Sequence, residues 1–202
     1  TQAKTLFPYT TLFRSVPLSS ASASTLNTSF SAINAKLKSV GMAERFSTLT
    51  ASTSNPVLII DKSLTDISAY LPAQYAIYGQ ARHATANDLI LLPASSVIGI
   101  DPTTGLPPTS TSTKINGVTI PLADQLVLTE KEAAKVIAAT DAYNASISSL
   151  ATTYGLALVD ANAKMKELGT TSGIQYNGVK YTASFITGGT FSLDGVHPNG
   201  RG

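Results

Sequence analysis

An α/β fold is what this sequence predicts, on three observations. A stretch with apolar residues at helical spacing runs from Thr129 to Tyr154, a compact apolar segment of strand length follows at once, and a second short helical stretch comes next. Short runs rich in Val, Ile and Leu, bounded by turn residues, occur at 56–60 and 89–92. The chain has 202 residues, 43% of them hydrophobic, which fits one domain with enough apolar material for a core.

The elements follow in chain order. Residues 5–15, TLFPYTTLFRS, look like the translation of a widely used sequencing-adapter oligonucleotide, matched at every codon. The alternative is an edge strand, since Leu, Phe, Tyr and Thr favour strands and Pro8 suits an edge. The adapter reading makes 1–15 a non-native segment, starts the authentic protein at about Val16 and leaves its upstream part missing. Next, SASASTLNTSFSAINAKLKSVG places Leu26, Phe30, Ile33, Leu37 and Val40 at helical spacing and stops at Gly41. PVLIIDKS reads as a buried strand. ISAYLPAQYAIYGQARHA stays open between helix and loop because Pro72 interrupts it, and LILLPASSVIGI is a second short buried run. DPTTGLPPTSTST has the composition of a surface loop, and KINGVTIPL carries a hairpin signal at Asn116-Gly117.

The clearest helix opens at LTEKEAAK, where Thr129 and Glu132 form a capping-box pattern. Val136, Ile137, Tyr143, Ile147, Leu150, Ala151 and Tyr154 predict one buried face, ended by Gly155. GLALVDA reads as an apolar strand and NAKMKEL as a short helix stopped by Gly169. IQYNGVKYTASF repeats the hairpin signal at Asn177-Gly178, and ITGGTF leads into a closing loop, FSLDGVHPNGRG.

Several function classes lose support on composition. The 14 basic and 12 acidic residues are scattered, with no Lys/Arg block and no aromatic-basic interleaving, so no nucleic-acid partner is expected. The absence of cysteine removes a disulfide scaffold, a thiolate nucleophile and a Cys-ligated zinc, and leaves the compartment open. No apolar run approaches the roughly 18 residues that span a bilayer. No cofactor-binding motif is read, and no cofactor is expected.

Chemistry concentrates in SLDGVHPNGRG. Asp194 and His197 stand three apart, and a turn at Gly195 can bring the carboxylate beside the imidazole. Pro198 moves His197 away from helical geometry and favours a presented loop. Such a pair suits a hydrolytic base: Asp fixes the tautomer through one ring N–H, and the other nitrogen takes a proton from a serine hydroxyl. A structural turn is the competing reading of so short a motif.

This Asp-x-x-His-Pro block near the C-terminus resembles the fifth sequence block of the SGNH hydrolases, also called GDSL lipases and esterases. The likeness extends through TGGTFSLDGVHPNGRG, VLTEKEAAKVIAATDAYN, GLALVDANA and YGQARHATANDLILLPASSVIG, which together look like one bacterial, cell-envelope branch, and it covers most of 16–202. The resemblance implies a truncated three-layer α/β/α SGNH-hydrolase-like fold with a mixed insertion region. It divides the chain into the non-native 1–15, an insertion or linking region at 16–128, and a C-terminal part of the hydrolase core at 129–202. It implies His197 as the base and Asp194 as its orienting partner. The family's nucleophilic serine, in an N-terminal Gly-Asp-Ser block, and its oxyanion-binding glycine and asparagine are not found here.

The remaining candidates read as structural. Asn87-Asp88 looks superficially like the family's Gly-x-Asn-Asp block, but its apolar run follows the asparagine instead of preceding it, and Thr85 stands where glycine is expected. His83 reads as a structural residue with only Asp88 nearby as a carboxylate. A metal site from Asp194, His197 and His83 lacks any local ligand pair, and no metal is expected. Ser95 and Ser96 lack a nucleophile elbow. Arg201, Lys164, Lys166 and Glu167 read as solvated.

Two function classes follow. One is a fragment of a serine ester hydrolase, acting on a small-molecule ester or an acylated glycan or lipid, whose parent is exported to the cell envelope or periplasm and has a possible membrane anchor of its own. The other is a non-catalytic envelope or ligand-binding protein that keeps the fold. The 202 residues alone are expected to be inactive and poorly soluble, with exposed apolar faces.

Overall fold

The computed structural model describes residues 15–16, 18–52, 54–109, 111–184, 187–193 and 197–201. It combines helices with small antiparallel sheets, a mixed α/β content. The chain divides into two compact units, with the break between Thr129 and Glu130.

The unit before the break is built on helix α1, Ser20–Ser39. Ser19 caps it by accepting the Ser22 amide at 3.2 Å, and Lys36 and Lys38 in the last turn face the negative end of the helix dipole. Leu26, Phe30, Ile33 and Leu37 are buried as their spacing predicts, whereas Val40, the C-cap residue, is 48% exposed. Two turns of the helix carry Asn27 and Asn34, seven residues apart, and each holds the extended segment that follows. Asn27 donates to the Leu49 carbonyl at 2.9 Å and accepts the Leu49 amide at 2.8 Å; Asn34 donates to the Phe46 carbonyl at 2.7 Å and accepts the Arg45 and Phe46 amides. Side-chain amides thus replace a neighbouring strand and satisfy backbone groups that no sheet pairs.

Strand β1 (Ser15–Val16) pairs with β2 (Asn55–Pro56), β3 (Leu58–Ile60) with β4 (Ala81–His83), and β5 (Leu89–Ile90) with β6 (Val127–Leu128), all antiparallel. The β1 ladder begins at Ser15, the last residue of the adapter-like stretch, because strand pairing uses backbone groups and is indifferent to the side chain. Around β3 and β4 the core closes: Phe30 stacks on Phe46 at 4.7 Å, and Tyr78 and His83 meet Phe30 edge-on at 5.5 and 5.1 Å. Val57, Leu58, Ile59, Ile67, Ile90 and Leu122 complete it.

Several expected elements differ. PVLIIDKS forms β3 as expected, but LILLPASSVIGI gives only the two residues of β5 before a 3-10 turn at Leu92–Ser96. Pro72 separates two 3-10 segments, Ser68–Tyr70 and Ala73–Tyr78, and so resolves the helix-or-loop ambiguity. Asn116-Gly117 does not make a hairpin: the Ile115 carbonyl gathers the amides of Val118, Thr119 and Ile120, and Asn116 bridges Ile120 in parallel sense. Only the glycine takes a positive φ there, where a type I′ turn needs two.

The unit after the break holds α2 (Glu130–Tyr154), α3 (Ala161–Leu168), and the hairpin of β7 (Ile174–Tyr176) and β8 (Val179–Tyr181). Helix α2 starts directly after Thr129, where the capping-box pattern places its N-terminus. Its expected buried face is a correction: among its residues only Ala151 is buried, while Tyr143, Ile147, Leu150 and Tyr154 are exposed. The expected strand GLALVDA is a second correction. Residues 156–160 are exposed and unassigned to any strand, and Asp160 serves instead as the N-cap of α3, accepting the Ala163 amide at 2.8 Å. A strand needs a neighbour to satisfy its amides, and the described residues offer this one none. At Asn177-Gly178 the hairpin forms as predicted, with φ of 48° and 75° and Tyr176 opposite Val179.

Among the described residues the sheets are two-stranded and antiparallel, apart from isolated bridges. No helix of the described residues is long and apolar enough to cross a membrane.

Candidate functional site

The closing loop is held by a small set of backbone contacts. From Leu168 the Ala183 amide is tied back at 2.9 Å, and Thr182 bridges Gly189 while its amide donates to the Gly188 carbonyl. A Cβ on Gly188 would collide with the carbonyls of Thr182 and Ser184, so this crossing requires glycine. Thr190 then donates its hydroxyl to the Thr182 carbonyl at 3.1 Å, and the buried Phe191 forms an antiparallel bridge with Pro198.

That bridge is the neck of the loop. The Ser192 amide donates to the His197 carbonyl at 2.8 Å, and the Asn199 amide donates to the Thr190 carbonyl at 2.9 Å. The two arms meet, and both His197 and Leu193 are exposed. Asp194, with Gly195 and Val196, lies outside the described residues, so the structure places the base candidate and not its partner.

Asn199 is the residue that motif reading passed over. Its amide group donates to the Gly189 and Phe191 carbonyls at 3.1 and 3.2 Å, and its side-chain oxygen accepts the Arg201 amide at 2.8 Å. It therefore ties the two arms of the loop together two residues after His197. The available signal was its place directly after His-Pro, where a short polar side chain can reach backbone on either side. Arg201 is exposed, and Lys164 pairs with Glu167 at 2.9 Å in solvent. Lys166 reaches Asp141 at 3.1 Å, also exposed.

In the other unit, the Asn87-Asp88 pair is structural. Asp88, fully buried, takes a two-pronged grip from Arg82 at 2.6 and 2.7 Å and accepts the Thr85 amide and hydroxyl. Asn87 is an exposed turn residue. Asp61 accepts the Arg82 Nε at 2.7 Å; burial alone would raise its carboxyl, but hydrogen bonds from Ser63 and Arg82 outweigh that and hold it below the usual range. The two carboxylates in turn raise Arg82 further above its ordinary value, against the effect of burial.

His83 stands in contact with a serine, Ser47. Its Nδ1 lies 2.9 Å from the Ser47 hydroxyl and 3.0 Å from the Ser47 amide, which donates to it. With the amide donating, Nδ1 is the acceptor, and the neutral ring carries its proton on Nε2. Burial pushes this imidazole down to about 4, and Phe30 and Phe46 meet its ring at near right angles at 5.1 and 5.7 Å. A base so weak, with its lone pair already shared, does not activate the exposed Ser47. The pair is a packing contact.

Open depressions of about 480 and 340 Å³ flank α1. The first is lined by Ser20, Ser24, Asn27 and Thr28, without a titratable group, and the second passes Lys38, Glu44 and Ser47. Neither includes His197. Among the described residues no group of three potential ligands comes together that could hold a metal ion. Comparison with protein-family models, with curated proteins and with solved structures returns no match.

Proposed function

We propose that this chain is the base-supplying part of a serine ester hydrolase of the SGNH, or GDSL, type, and that its second unit belongs to a three-layer α/β/α core. The observation that carries the reading is the Asp194-x-x-His197-Pro198 block on a loop whose neck, the Phe191–Pro198 bridge with its Asn199 clamp, holds His197 on an exposed turn. The order of the second unit supports the fold: helix α2, a segment apolar on both faces, and helix α3 follow one another as in a layered parallel sheet, and the apolar faces left exposed are those such a sheet would cover.

In this reading His197 takes the proton of a serine hydroxyl as its oxygen attacks the ester carbonyl, and Asp194 holds the ring and stabilises the imidazolium. The imidazolium then returns that proton to the departing alcohol, leaving an acyl-enzyme. Water, deprotonated by the same ring, attacks the acyl carbon and releases the acid. The serine and the oxyanion donors come from sequence outside these 202 residues, so substrates, small esters or acylated glycans and lipids, are acted on only by the longer, exported parent.

The test joins this chain to the upstream coding sequence recovered from flanking DNA and measures hydrolysis of a short-chain p-nitrophenyl ester. His197→Ala abolishes turnover, and Asn199→Ala lowers kcat more than it changes KM. Equal hydrolysis without the imidazole overturns the proposal. An upstream block whose serine is replaced, together with retained ligand affinity, establishes the non-catalytic envelope protein instead.

A further inference from the structure

Three Asn-Gly steps occur in the chain, at 116–117, 177–178 and 199–200, and the fold treats them differently. Such a step has one characteristic reaction. The glycine amide nitrogen attacks the asparagine Cγ, a nitrogen–carbon bond forms, and the bond from Cγ to the side-chain nitrogen breaks. The amide proton leaves with that nitrogen as ammonia, and water then opens the five-membered succinimide to aspartate or isoaspartate. No oxidant, enzyme or metal takes part. What is required is an asparagine side chain free to rotate and a following amide free to approach it.

At Asn116 the requirement fails on the backbone. The Gly117 amide donates to the Ile120 carbonyl at 2.7 Å, its carbonyl accepts the Leu58 amide at 2.8 Å, and the glycine is buried against Val57 and Leu122. At Asn199 it fails on the side chain, whose amide nitrogen and oxygen are engaged with Gly189, Phe191 and Arg201. Asn177 differs on every count. Both turn residues are exposed, a Cβ on Gly178 would meet nothing within 4 Å, and neither the Asn177 side chain nor the Gly178 amide has a hydrogen-bond partner among the described residues. The left-handed Asn177 backbone must rotate for attack, but its turn is closed by strands of only three residues in a sheet of two, which opens readily.

We propose that Asn177 is a site of spontaneous succinimide formation and deamidation, and that Asn116 and Asn199 are protected by the fold. Isoaspartate at 177 adds a methylene to the backbone and a carboxylate at the turn, and so disrupts the register of β7 and β8.

The experiment incubates the full 202-residue protein in mildly alkaline buffer, maps peptides by mass spectrometry and detects isoaspartate with a repair methyltransferase; a parallel sample is held in urea. Several protecting hydrogen bonds must break together before Asn116 or Asn199 can react, so conversion at Asn177 exceeds that at either by about tenfold or more in buffer. In urea the three rates converge, because the dipeptide is the same. Equal rates in buffer, or faster conversion at Asn116 or Asn199, overturn the proposal, as does a Gly178→Ala variant that converts as fast as the parent.

Discussion

In α1, Leu26, Phe30, Ile33 and Leu37 recur at helical spacing and all four are buried; in α2, Tyr143, Ile147, Leu150 and Tyr154 recur at the same spacing and stand 52 to 71% exposed. The two helices are equally amphipathic to the eye, yet one lies on a core and the other does not. Periodicity identifies which face of a helix is apolar. Whether this chain also supplies the surface that covers it is a separate question, answered for α1 by β3, β4 and the segment that Asn27 and Asn34 hold down.

The sharpest way to break that contrast is to remove the charge at the centre of the first unit. Arg82→Met leaves Asp88 buried without a counter-charge and Asp61 with one partner fewer, a loss of about 3–5 kcal/mol. Hydrogen exchange followed peptide by peptide then shows residues 54–129 opening with no matching change in 130–168. Equal exchange in parent and variant would mean that the ion cluster stabilises nothing.

Acid is the next largest lever. The unfolded chain's imidazole takes up a proton near 6.5, whereas burial holds His83 at about 4. The folded state therefore keeps its full advantage above pH 6.5 and loses it as pH falls toward 4, because the unfolded chain binds a proton that the fold refuses. Between pH 7 and 4.5 that loss amounts to about 2 kcal/mol. Urea midpoints of the first unit at pH 7 and 4.5 measure it, and an unchanged midpoint counts against a buried neutral His83.

The smallest effect sharpens the comparison from the other side. Ile147→Ser, on the exposed face of α2, changes stability by less than about 0.5 kcal/mol. A loss several times larger in thermal unfolding would show that the α2 face is covered in solution.

Much of this was legible locally. The start of α2 after Thr129, its end before Gly155, the stop of α3 at Gly169 and the Asn177-Gly178 hairpin are decided by capping and turn chemistry, which act over a few residues. The same dipeptide at 116–117 went the other way because its glycine is drawn into contact with Val57 and its carbonyl pairs with Leu58, 59 residues earlier. GLALVDA kept the composition of a strand and, among the described residues, lacked the neighbour that makes one.

The site divides in the same manner. Asp-x-x-His-Pro singles out Asp194 and His197 as candidates from sequence alone, since an acid, a base and a proline within five residues define their own spacing. Asn199 as a clamp was not legible, because its partners, Gly189 and Phe191, come together only when the loop's two arms meet.

By itself the sequence determined where helices begin and end, which faces are apolar, and which residue types carry acid–base chemistry; each follows from interactions within a turn or two. Only the tertiary structure decided which apolar face is covered, which two carboxylates pair with Arg82, and which of three identical Asn-Gly steps stays open, because each depends on atoms that sequence separates and folding brings within a few ångströms.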